Sequence, residues 1–262
     1  MDRFFVEQND IDLDTGTCCI YGDDVKHISK VLRARVGEKV EICDQRFEYI
    51  CEISDIKKDV VKLAIIEKIN IKRESNIKIK LYQGLPKSTK MEIILQKLTE
   101  VGVSEIILVK TKRSVSNVNE AKEEKKLERF ERIIYEAAKQ SKRIEIPKIK
   151  GILSFSEAIE DMKKNDKNIC PYENENKLSI KEALKNISEK ETLKNISESD
   201  NENENLTIGI FVGPEGGFDE EEIEQLKQQE TNIVTLGNRI LRTETAAIVS
   251  SALVLYELGQ ME

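Results

Sequence analysis

Two short passages near the C-terminus hold the residues whose types and spacing could do chemistry. They are Gly213-Pro214-Glu215-Gly216-Gly217-Phe218, and Leu236-Gly237 followed by Ile240-Leu241-Arg242-Thr243-Glu244-Thr245-Ala246-Ala247. Each follows a short apolar run, Ile208 to Val212 and Ile233 to Leu236, so each reads as a turn at a strand end. Such turns are where α/β proteins place ligands. Gly213, Gly216 and Gly217 lack a Cβ and let the backbone approach a ligand closely. The loop is not a phosphate-binding P-loop, which closes on Gly-Lys-Ser/Thr where this one closes on Gly-Phe-Asp. Glu215 and the run Asp219 to Glu222 would also repel phosphate, so the expected ligand is neutral or cationic. A plain structural reading stands beside this one. Asp219 and Glu222 have capping-box spacing, and Gly216-Gly217 could serve only as a flexible approach to a helix.

The elements that must position these residues are legible as a change of rhythm. Up to about residue 70, short runs such as 40–43, 49–53 and 60–66 recur at the spacing of a small β-barrel. Before these runs His27 to Arg33 reads as a basic helical segment, and after them 71–76 reads as a linker. From Ile77 strands alternate with helices, which implies a mainly parallel sheet. Pro86 opens a helix whose apolar face is Met91, Ile94, Leu95, Leu98 and Val101, and Gly102 ends it. Leu127, Phe130, Ile134 and Ala138 mark a second helix. Residues 173–205, rich in Asn, Glu, Lys and Ser and carrying an internal repeat, read as an acidic surface excursion. The chain closes on Thr243 to Leu258, apolar nearly all round and so buried in a core or an interface.

Composition narrows the function. The 262 residues are 39% hydrophobic and 35% charged, the make-up of a soluble globular protein. No apolar run approaches the ~20 residues that span a bilayer, and the start lacks a signal-peptide core, so a cytoplasmic location is expected. Cys18, Cys19, Cys43, Cys51 and Cys170 show no metal-binding spacing and His27 is the one histidine, so no metal is expected and the cysteines read as free thiols. The formal charge is -7. Its distribution matters more than its sum, because basic residues outnumber acidic ones over 78–150 and the reverse holds over 206–262. A basic stretch followed by an acidic C-terminal portion matches an RNA-binding face joined to a site for a cationic small molecule; solvated helix faces would give the same counts.

Five ordered blocks carry a resemblance to a known family: His27 with Val31-Leu32-Arg33; Lys97-Leu98-Thr99-Glu100-Val101-Gly102; Glu136-Ala137-Ala138-Lys139-Gln140-Ser141; Gly213 to Phe218; and Leu236-Gly237 with Ile240 to Ala246. On these the chain resembles the RsmE family of SPOUT methyltransferases. The resemblance implies S-adenosylmethionine-dependent methylation of N3 of a uridine in small-subunit (16S) ribosomal RNA. It implies a PUA-like β-barrel over 1–72 and a SPOUT α/β domain with a C-terminal trefoil knot over 76–262, working as a homodimer. Cofactor binding then falls to Val212, Gly213, Pro214, Glu215, Gly216 and Gly217 in the first loop. In the second it falls to Leu236, Gly237, Ile240, Leu241 and Arg242. The longer, more acidic 173–205 segment is the departure from the pattern. A SPOUT methyltransferase with another RNA target, and a non-catalytic RNA-binding ribosome-assembly protein, are the alternatives.

Uridine N3 carries a proton and is a poor nucleophile until that proton leaves. Glu244 is expected nearest the proton, and Arg242 is expected to stabilise the anion developing on a uracil oxygen. Glu244 could instead be only a helix-start carboxylate with Thr243 as the cap. Arg33, Arg35, Lys87, Lys90, Lys97, Arg113, Lys142 and Arg143 are the candidates for RNA backbone contact.

Overall fold

Short β-branched runs separated by turns pair into one sheet in the first part of the chain. The computed structural model describes residues 1–70, 73–114, 120–187 and 206–261. They divide into two compact units, Met1–Glu74 with Ala138–Ile146, and Ser75–Ala137 with Pro147–Glu262.

In the first unit the strands are β1 (Arg3–Phe5), β2 (Ile11–Asp12), β3 (Thr17–Ile20), β4 (Lys39–Cys43), β5 (Glu48–Ile56) and β6 (Val61–Ile69). Their order in the sheet is β1-β4-β5-β6-β3-β2. Register shifts between β5 and β6 at Ile50/Cys51 and Ile53/Asp55 bend the long strands, as bulges do. The sheet wraps a core that includes Phe4, Ile20, Ile28, Ile42, Ile53 and Leu63. The basic helical segment is a short helix α1 (Asp23–Lys26) running into a π-helical turn, His27–Leu32, which Arg33 ends in the left-handed conformation at φ 52. His27 lies against the Phe4 ring, 6.2 Å between centroids, and burial raises the thiol pKa of Cys18, Cys43 and Cys51, so these thiols stay protonated.

The segment expected as a linker is anchored where it is described. Glu74 accepts from Arg143 Nε at 2.9 Å, from Ile144 N at 2.7 Å and from Glu145 N at 3.1 Å. Burial works against its charge, but the Arg143 guanidinium and the two amides outweigh that and hold the carboxyl below its ordinary value. A depressed carboxyl stabilises the fold fully above its unfolded value, here 4.5, and loses that contribution as pH falls through the folded value. Glu74→Gln, which removes the carboxylate charge facing the buried Arg143 guanidinium, is expected to cost about 3 kcal/mol. Thermal melts between pH 7 and pH 3 check this, with the gap between wild type and variant closing toward the acid end.

In the second unit six strands form a parallel sheet: β7 (Lys78–Gly84), β8 (Glu105–Lys110), β9 (Lys148–Ser154), β10 (Lys167–Pro171), β11 (Thr207–Val212) and β12 (Asn232–Val234), in the order β12-β10-β11-β7-β8-β9. Parallel strands need crossovers, and helices α2 (Ser88–Val101), α3 (Glu120–Gln140), α4 (Phe155–Met162), α5 (180–187), α6 (Glu220–Gln228) and α7 (Thr243–Glu257) fall between or after them. On α2 the expected face is buried at Met91, Ile94, Leu95 and Leu98, while Val101 is half-buried. Gly102 closes it at φ 118, a conformation few other residues adopt. The Asp219 capping box forms as its spacing predicts, its carboxylate accepting from Glu221 N while Glu222 accepts from Asp219 N. The acidic segment expected as surface differs from that expectation over its described part: Ile180, Ala183, Leu184 and Ile187 of α5 are buried. Their helical spacing survives beneath an Asn- and Glu-rich composition, and the remainder, 188–205, lies outside the described residues.

Candidate active site

Because the sheet is parallel, β7, β10, β11 and β12 deliver their C-terminal ends to one edge, the edge at which open α/β sheets bind ligands. Gly84 ends β7 against Pro214, and a Cβ on Gly84 would lie 2.6 Å from Pro214 Cδ. Next to it the buried Gln83 donates from Nε2 to Gly84 O at 2.9 Å and to Thr243 Oγ1 at 3.0 Å. Thr243 Oγ1 in turn donates to Gly213 O at 2.6 Å. This relay ties the end of β7, the glycine loop and the start of α7 together. It also reassigns Thr243, whose hydroxyl serves Gly213; the N-cap position belongs to Arg242, which makes no side-chain cap bond.

Two adjoining cavities of about 250 Å³ each open at this edge and share Pro171, Glu173, Ile240, Leu241 and Ala246. The first is completed by Tyr172, Glu175 and Asn176 after β10 and by Thr235 to Arg239 after β12. The second is completed by Val212 to Glu215 with Gly217 and Phe218, and by Lys90, Arg242 and Thr243. Every residue expected to hold a cofactor therefore lines one cavity or the other, except Gly216. Gly216 lies under Arg113, whose Nη1 donates to its carbonyl at 3.3 Å.

The charges of the second cavity are ordered around Lys90. Its Nζ lies 3.5 Å from Glu215 Oε1 and 3.5 Å from Glu244 Oε2. Burial opposes the charge on Glu215, but the Lys87 amide, at 3.1 Å, and Lys90 prevail and hold its carboxyl below its ordinary value. Glu215 Oε2 and Glu244 Oε2 are buried without a hydrogen-bond partner. An acceptor so placed is costly unless a donor comes to it, and such exceptions gather at functional sites. Arg242 is exposed and has no ion pair among the described residues.

Several residues expected to contact RNA also face carboxylates of the fold. Lys90 serves the two glutamates just described. Arg143 is buried on Glu74, Lys142 pairs with Glu41 at 2.8 Å, Lys97 with Glu100 at 2.9 Å, and Arg113 with Asp219 at 3.4 Å. Apart from Glu100, three residues from Lys97 on α2, these carboxylates lie far off in the sequence, where a one-dimensional count of charges does not reveal them. Arg33, Arg35 and Lys87 remain exposed with no side-chain ion pair among the described residues. Reading the sequence missed Gln83 and Gly84, although an apolar strand ending in Gln-Gly was a visible signal. It also missed 171–176, whose short apolar run before Tyr172 was the corresponding cue.

Comparison with known proteins agrees with this construction. Residues 73–255 match the model of an RNA methyltransferase domain, and residues 20–69 that of an RNA methyltransferase PUA domain. The ribosomal RNA small subunit methyltransferase E of Bacillus subtilis is 36% identical over 98% of this chain and 97% of its own. The crystal structure of the ribosomal RNA small subunit methyltransferase E of Neisseria gonorrhoeae bound to S-adenosyl methionine superposes with a TM-score of 0.78 at 28% identity, covering 98% of this chain and 97% of that one. A putative methyltransferase of Legionella pneumophila in complex with the same cofactor gives 0.79 at 25% identity, covering 97% and 96%. A fold of two such units, a parallel-sheet site and matches spanning both place the protein: this chain belongs to the RNA methyltransferase family, among the relatives of the ribosomal RNA small subunit methyltransferases E.

Proposed function

We propose that this chain transfers a methyl group from S-adenosylmethionine to N3 of a uridine in small-subunit ribosomal RNA. The observation that carries the reading is the meeting of the glycine loop and the 235–242 turn around two joined cavities, with Arg242 lining the second and Glu244 ion-paired to Lys90 of that same cavity. The residues suit the cofactor. Backbone without bulky side chains at Gly213, Gly217 and Gly237 makes room for it. Carboxylates at Glu173, Glu175 and Glu215 suit a ligand that carries positive charge. When bound, S-adenosylmethionine supplies a methyl group activated by the adjoining sulfonium.

The chain's own residues must then orient the base and manage one proton. Glu244 takes up the N3 proton, with Lys90 fixing its carboxylate through Oε2 from 3.5 Å. Arg242, free of any carboxylate among the described residues, sets its guanidinium against the uracil oxygen on which negative charge grows. Holding base and methyl donor in line contributes about 7–11 kcal/mol of the barrier in well-oriented reactions. That is the service of the Gln83–Thr243–Gly213 relay. The reading carries with it the family's trefoil knot. It also carries a homodimer, supported by the half-open apolar stripe Val249, Leu253 and Tyr256 on α7.

Arg33 and Arg35 of the first unit and Lys87 of the second, exposed and without an ion pair among the described residues, are the side chains offered to RNA phosphates. Arg33→Glu with Arg35→Glu is expected to weaken binding to small-subunit RNA and to flatten its salt dependence by about 0.7 per lost phosphate contact. A salt titration of the binding constant reads both. Offered labelled S-adenosylmethionine and stripped RNA fractions or small-subunit particles, the protein should place label in the small-subunit RNA. Label confined to transfer RNA or large-subunit RNA would overturn the assignment.

A further inference from the structure

Glu173 lies in the acidic segment, two residues beyond the end of β10, and borders both cavities. The other carboxylates around them are committed. Glu175 Oε1 accepts from the backbone amides of Asn176, Lys177 and Leu178, and Glu215 accepts from the Lys87 amide and faces Lys90. Glu173 has neither a hydrogen bond nor an ion pair among the described residues. Its exposed carboxylate lies beside the glycine loop, with Oε1 where a Cβ on Gly217 would stand, and Gly217 sits at φ +68. Burial, followed by the field of Glu173 and Glu222, pushes the Cys170 thiol up, so the negative charge is felt beneath the site as well.

Position at the junction narrows what Glu173 can recognise. The second cavity is the one bordered by Arg242, and the first holds neither Arg242 nor Lys90. In a methyl donor spread over both, the atom joining the transferable methyl to the rest of the molecule belongs where they meet. In S-adenosylmethionine that atom is the sulfonium, and after transfer it is a neutral thioether. We propose that Glu173 is the sulfonium-recognising residue, making the site prefer the charged methyl donor over its neutral product and so favouring product release. The inference rests on the assignment of these cavities to S-adenosylmethionine.

The test is calorimetric binding of S-adenosylmethionine and of S-adenosylhomocysteine to the full chain, wild type and Glu173→Gln. Both ligands carry the same ammonium and carboxylate, so the ratio of their affinities isolates the sulfonium. The expected result is a loss of about 10-fold for S-adenosylmethionine at low salt, the order of an ion pair near a protein surface. S-adenosylhomocysteine affinity should stay within about 2-fold, and the difference should shrink toward 1 M salt as screening grows. Equal losses for the two ligands would overturn the proposal by assigning Glu173 to their shared part, and no loss for either would overturn it outright. A wild-type chain that binds neither ligand would overturn the cofactor assignment along with it. Because Glu173 is exposed, an unchanged melting temperature shows that the variant is folded.

Discussion

Arg242→Ala is expected to slow single-turnover methylation at saturating cofactor by about 10²- to 10³-fold, the usual loss when one donor to a developing anion is removed. Arg242 is not committed to the fold. It occupies the cap position of α7 without a side-chain cap bond, lines the second cavity, and has no carboxylate partner among the described residues. Its charge is therefore available to the substrate, while Lys90, the other cation of that cavity, is spent on Glu215 and Glu244. Arg242→Lys should recover little, since an ammonium cannot reproduce a planar guanidinium. Glu244→Ala should cost about 10²-fold, at the low end for general-base assistance. Its rate should rise with pH as uracil sheds its own N3 proton. Cofactor affinity measured in parallel separates a chemical effect from a binding one. Unchanged turnover for Arg242→Ala would remove it from the mechanism.

Gly84→Ala is expected to weaken cofactor binding by at least about 10-fold with the protein still folded. The new methyl would sit 2.6 Å from Pro214 Cδ and 2.8 Å from Pro214 N, so the glycine loop itself must move. Overpacking of this kind costs about 1–3 kcal/mol, and here the strain falls on the backbone that borders the second cavity. Gly151→Ala is the matched control, because a Cβ there meets nothing closer than 3.5 Å. Pro214→Ala in the Gly84→Ala background should recover only part of the loss, since the backbone nitrogen contact remains. Equal affinities for Gly84→Ala and Gly151→Ala would show that this close approach does not shape the site.

Much of this arrangement can be read from the residues alone, and the limits have physical causes. Strand–helix alternation from Ile77 onward, the buried face of α2, the stop at Gly102 and the Asp219 capping box all follow from local periodicity and backbone preference. The glycine loop and the 236–242 turn stand out because glycine and charge gather at strand ends. Their convergence does not stand out, since it depends on strand order, and β10 separates β12 from β11. For the same reason Gln83 and Thr243, 160 residues apart, could not be seen as partners. Lys90, Lys97, Arg113, Lys142 and Arg143 look like an RNA face in one dimension, whereas in three each faces a carboxylate, Arg143 in a buried pair and Lys97, Arg113 and Lys142 in exposed ones. Glu173 was masked by composition, because it opens a stretch whose Asn and Glu content reads as solvent-facing.

The central claim is the identity of the methylated atom. Small-subunit particles from cells lacking this protein should be incubated with the purified chain and isotope-labelled S-adenosylmethionine, and the RNA digested to nucleosides for mass spectrometry. The account predicts label in 3-methyluridine, greatly reduced with Arg242→Ala. Label in a 2′-O-methyl nucleoside, in a methylated purine, or in no nucleoside at all would contradict it.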